Sequence, residues 1–83
     1  MQLTEKQIRE IKIKSPLMVG ELLKRLRKSK NLTQIELGSL VLMDRQYIYK
    51  LESGRVAPNI STLVILVTAM DSDLRDLFDL SKP

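Results

Sequence analysis

Eighty-three residues with 43% apolar content make one small domain with an aliphatic core, since only three residues are aromatic and none is Trp. The absence of both Cys and His excludes disulfides, thiolate metal sites and nearly every nucleophilic triad, so no metal, no cofactor and no enzyme activity are expected. The net charge of +4 divides into +6 over residues 1–55 (twelve Lys/Arg against six Asp/Glu) and −2 over residues 56–83 (two against four), which suits a chain that turns a basic face to a polyanion.

Residues 1–14 read as an arm. Thr4 and Gln7 are spaced as a capping box, with Leu3 and Ile8 as its hydrophobic staple, so a short helix is expected over residues 5–12. Ile11 and Ile13 alternate with Lys12 and Lys14, which is strand spacing and pulls the other way. Ser15-Pro16 then punctuates the chain, with Ser15 as N-cap and Pro16 at the first helical position. The helix that follows reaches about residue 29 and buries Val19, Leu23 and Leu26. It ends in a cationic run, Lys24, Arg25, Arg27, Lys28 and Lys30, which suits a helix C-terminus. Asn31 tolerates the left-handed conformation that would close it.

The next two helices carry the clearest signals. Thr33 with Glu36 forms a capping box, and Leu32 with Leu37 a staple, for a helix over residues 34–41 with Ile35, Leu37, Leu40 and Val41 as candidate core. Asp44 caps a second helix over residues 45–53, with Met43 and Ile48 as its staple and Gly54 as its stop. Ile48 and Leu51 anchor that helix inward, leaving Arg45, Gln46, Tyr49 and Lys50 outward. Two short helices joined by so tight a turn are the grammar of a helix-turn-helix. Ser61 is the expected cap of a fourth helix, 62–70, with Leu63, Leu66 and Met70 inward; Val64, Ile65 and Val67 make it apolar nearly all round. Asp73, with Asp76 three residues on, caps a last helix through about Leu80 whose apolar set is Leu74, Leu77 and Phe78. The longest apolar run, residues 63–67, cannot span a bilayer and no signal-peptide pattern opens the chain, so a cytoplasmic protein is expected.

Residues 32–55 resemble the helix-turn-helix of the phage-repressor (Cro, XRE-type) family. Its pattern L-T-Q-x-x-L-A, a turn, then x-x-x-I-x-x-x-E-x-G is matched by Leu32, Thr33, Gln34, Leu37, Gly38, Ile48, Glu52 and Gly54. Leu42 departs from it, standing where the family has Gly. The resemblance covers residues 19–78 and implies an all-α, five-helix, lambda-repressor-like DNA-binding domain over residues 15–83, preceded by the arm of residues 1–14. The partner it implies is double-stranded DNA, with the helix at 45–53 in the major groove.

Arg45, Gln46, Tyr49 and Lys50 are then the base-contacting candidates, being side chains able to read guanine, adenine or the thymine methyl. Gln34, Tyr47, Arg55 and Asn59 are the phosphate-contacting candidates, Gln34 because free N–H groups at a helix start favour an anion. By the same resemblance Arg27 and Glu52 form a structural ion pair that orients the reading helix. A homodimer is expected, with Val64, Ile65, Leu77 and Phe78 as its interface. The function expected is a dimeric, sequence-specific transcription repressor. Two alternatives are an antitoxin with a toxin partner and the controller protein of a restriction–modification system. The second is suggested by the start of the reading helix, Asp44-Arg45-Gln46-Tyr47-Ile48.

Overall fold

Thr4 opens the first helix as its capping signal predicts. Its hydroxyl accepts from the Gln7 N–H at 3.1 Å, and Gln7 Oε1 accepts from the Thr4 N–H at 2.8 Å. The computed structural model describes residues 1–79, which form five α-helices and no strand. Helix α1 (Glu5–Ser29) is followed by α2 (Gln34–Val41), α3 (Arg45–Glu52), α4 (Ile60–Ala69) and α5 (Leu74–Leu77).

The break expected at Ser15-Pro16 is absent. α1 runs through Pro16 without interruption for 25 residues, and the strand spacing of Ile11 and Ile13 is not realised. Ser15 is no N-cap; its hydroxyl donates backward to the Ile11 carbonyl at 2.6 Å. Proline brings a helical φ, but it removes the donor that the Lys12 carbonyl would have accepted from and crowds that carbonyl with its ring. Lys12 lies on a fully exposed stretch, where water can serve that carbonyl instead.

α1 packs on α3 and α5, α2 on α3 and α4, and α4 on α5. Leu23, Leu37, Ile48, Leu51, Leu66 and Val67, each 1% exposed, form the centre of the core. Leu22 and Val67 join it beyond the expected set, while Ile35 (63% exposed) and Leu40 (58%) point to solvent. An eight-residue helix packed through Leu37 and Gly38 has too narrow a buried face to take them in as well.

The turn between α2 and α3 keeps the tight form. Leu42 is left-handed at φ 58° with its side chain in solvent, and the Met43 N–H bonds the Gly38 carbonyl at 2.9 Å. A Cβ at Gly38 would collide with the Met43 carbonyl, so the close approach of this turn to α2 requires glycine there. Asn31 is left-handed as expected, at φ 58°.

α4 begins two residues earlier than its Ser61 signal suggests. Asn59 is the N-cap, its Oδ1 accepting from the Thr62 N–H at 2.8 Å. Asn caps as well as Ser does, and the earlier start gains two helical residues. Asp73 caps α5 through a reciprocal box with Asp76. That helix ends at Leu77 with Phe78 as its C-cap; Leu80, where it was expected to end, lies outside the described residues. Leu77 is 2% exposed and belongs to the core. A four-residue helix turns Leu77 fully and Leu74 partly toward the core, which leaves Phe78 exposed.

Candidate nucleic-acid interface

The candidate surface starts from the Asp44 cap, whose Oδ1 accepts from the Tyr47 N–H at 2.7 Å. This bond fixes the first turn of α3. Ile48 and Leu51, three residues apart and each 1% exposed, hold one side against the core. Arg45 and Gln46 are therefore exposed at the N-terminal end, Tyr49 is exposed one turn on, and Lys50 is half-buried. The Arg55 guanidinium lies 5.5 Å from the centre of the Tyr49 ring, close enough for a cation–π contact that ties the loop after α3 to its outer face. Tyr47 leans half-buried against the core, away from the side that carries Tyr49.

The other end of α3 is pinned. Glu52 (6% exposed) meets Arg27 (7% exposed) in a two-point pair: Nε donates to Oε2 at 2.6 Å and Nη2 to Oε1 at 2.9 Å. Arg27 Nη1 also donates to the Leu32 carbonyl at 2.7 Å, and Gln34 Nε2 donates to Glu52 Oε1 at 3.1 Å. One carboxylate thus joins the end of α1, the start of α2 and the end of α3. Among the described residues, no buried side-chain nitrogen or oxygen lacks a partner. The hydrogen bonds to Glu52, ahead of the opposing effect of burial, raise the Arg27 pKa above its ordinary value. The guanidinium stays charged wherever the protein folds.

At Gly20, α1 touches α3 backbone to backbone: a Cβ there would collide with the Leu51 and Glu52 carbonyls. Gly20 and the ion pair together fix the distance and rotation of α3 against α1.

The four base-reading candidates share one helix, with Arg55 joining them through Tyr49. Gln34 lies close to them, but one of its amide donors is already committed to Glu52. Asn59 uses its carbonyl oxygen as a cap, which leaves its amide NH₂ as the donor for any outside contact. Sequence reasoning missed Lys24. It lines a small cleft of about 80 Å³ with Gln34, Tyr49, Glu52 and Ser53, which brings a further cation beside the reading helix. Its signal was available: Lys24 stands three residues before Arg27, hence on the same side of α1.

The Helix-turn-helix family model HTH_3 matches residues 23–77. The chain belongs to this family. Members of the XRE-type helix-turn-helix class are DNA-binding transcription regulators, and that is the class of this chain. Among curated proteins none matches significantly. A solved structure that does match is the restriction-modification controller protein C.AhdI from Aeromonas hydrophila, at 33% identity and a TM-score of 0.72, over 77% of this chain and 97% of that one. The helix-turn-helix match takes in α2 to α5 but begins part-way along α1, so the first 22 residues of the regulator lie outside it. No helix among the described residues is long and apolar enough to cross a membrane.

Proposed function

We propose that this regulator is cytoplasmic, acts by binding without chemistry of its own, and represses by occupying an operator in double-stranded DNA as a homodimer. α3 enters the major groove. Arg45 and Gln46 contact base edges first, because the N-terminal end of a reading helix is the end that goes in. Tyr49 and Lys50 follow one turn on. Gln34, Arg55, Asn59 and, less directly, Tyr47 hold the phosphates on either side, and the two α3 helices of the dimer lie about 34 Å apart. Val64, Ile65 and Phe78 form the exposed apolar surface through which the copies meet. The observation that carries this reading is the geometry of α3, which is buried and pinned along one side and at one end, and polar and open at the other.

The likeness to C.AhdI supports one reading of the regulated system. Identity of 33% across nearly the whole of a restriction-modification controller favours that role over an antitoxin, for which no feature of the structure speaks.

The test is a salt titration of binding to the DNA upstream of the chain's own gene, beside random DNA of equal length. A selective complex is expected, with log affinity falling steeply against log salt as several phosphates are released from their counterions. Equal, weak binding to both DNAs would contradict it.

A further inference from the structure

The first ten residues of α1, 5–14, are exposed, and its contact with the rest of the domain begins at Ser15–Leu17, where Leu17 meets Gly54. Residues 1–14 are exposed throughout, yet the helix they form is amphipathic. Ile8, Ile11, Ser15, Met18 and Leu22 follow one another at spacings of three and four, so a single seam runs up the helix. At its upper end Leu22 enters the core, while Ile8, Ile11 and Met18 remain 40–54% exposed. Leu3, Gln7, Glu10, Ile11, Lys14 and Met18 border an open groove of about 330 Å³ along this seam, with no other helix contributing to its walls.

We propose that this segment docks on the same segment of a second copy, antiparallel, with Ile8 of each chain against Ile11 of the other. The inference extends the dimeric reading above by a second contact, at a place that the helix-turn-helix family match does not reach. Charge selects the occupant and the register. With Ile8 opposite Ile11, Glu5 of each copy stands beside Lys12 of the other, giving two opposite-charge pairs flanking the seam. Sliding the pair until Ile8 faces Met18 would instead set Lys12 against Lys12 and Lys14 against Lys14. A parallel pair brings no opposite charges together, because Gln7 and Lys14 then flank Lys12 and Val19. Flanking charges set orientation and register in paired helices of this kind, and of these three arrangements only the first brings opposite charges together.

Because the chain has no cysteine, introduced thiols report this contact alone. Full-length Ile8→Cys and Ile11→Cys chains, distinguishable by a tag, would be mixed in equal amounts without DNA and mildly oxidised. The mixed disulfide is expected to exceed the two homodisulfides together several-fold. A yield equal to their sum, which random collision gives, or an excess of homodisulfides, which parallel pairing gives, would overturn the proposal, as would no disulfide at all. The charge pairs provide a second readout by sedimentation. Glu5→Lys and Lys12→Glu chains should each self-associate more weakly than wild type, and an equal mixture should recover the association. Recovery failing in chains whose circular dichroism is unchanged would also overturn it. The altered residues lie away from α3 and DNA is absent, so this proposal and the DNA-binding reading fail separately.

Discussion

The two ends of α3 are built on opposite principles. At the C-terminal end, Glu52 is 6% exposed and shared between Arg27 and Gln34, so the helix is tied to α1 and α2 at once. At the N-terminal end, Arg45 and Gln46 are exposed and have no such anchor. The contrast shows how a short helix can serve recognition. Eight residues cannot hold their own orientation in solution, so the fold holds one end and one side and leaves the rest available.

Breaking the pinned end should have the largest effect. Glu52→Ala strands Arg27 among buried neighbours and should cost about 3–5 kcal/mol of stability, as should Arg27→Ala. Urea denaturation measures both. Replacing the two together by Met should cost much less, since no buried charge is left alone. That double variant should nonetheless read DNA less selectively, because α3 loses the ties from Glu52 to Arg27 and Gln34. Selectivity kept at the wild-type level in the double variant would show that packing alone orients the helix.

Disturbing the open end should do the reverse. Arg45→Ala and Gln46→Ala should leave the denaturation midpoint within about 0.5 kcal/mol of wild type, as surface changes do. Each should cost about 1–3 kcal/mol of discrimination between operator and mismatched DNA, read from competition binding.

Much of this arrangement was legible in the sequence, for one physical reason: helix caps are local. Thr33 with Glu36, Asp44, and Asp73 with Asp76 each announce a boundary within four residues, and the structure keeps all three. Inward Ile48 and Leu51 are legible for the same reason, since they follow from helical spacing. What the sequence hid depends on the surroundings. Pro16 reads as a helix start but sits inside a helix that Thr4 caps twelve residues earlier. Asn59 and Ser61 are both good caps two residues apart, and nothing local ranks them. Leu40 and Leu77 are both apolar residues on short helices. Only the packing of the neighbouring helices decides that Leu77 is buried and Leu40 is not.

Two smaller changes sharpen the comparison from the turn that joins the helices. Leu42 holds a left-handed backbone with its side chain in solvent. Leu42→Gly removes a penalty of about 1–2 kcal/mol and adds an entropic cost of about 0.5–1 kcal/mol, so a net gain of about 0.5 kcal/mol is expected in thermal melts. The smallest effect is acid dependence at the start of α2. The Thr33 N–H, bonding Glu36 Oε1 at 2.8 Å, holds the Glu36 carboxyl below its ordinary pKa. A depressed carboxylate contributes stability above its unfolded pKa and loses it as pH falls through the folded one. The midpoint should therefore fall on acidification through that window. Glu36→Gln, which keeps the capping box without the charge, should flatten that part of the profile.

In the proposed complex, bases are read by the free end of α3. The most direct test is to measure Arg45→Ala against a set of operators, each altered at one base pair. The account predicts that wild type discriminates at the base pair Arg45 meets, and that the variant loses discrimination there alone, with its affinity for random DNA kept. A uniform loss across all operators and random DNA would contradict it, making Arg45 a phosphate contact and placing the reading of sequence elsewhere on the protein.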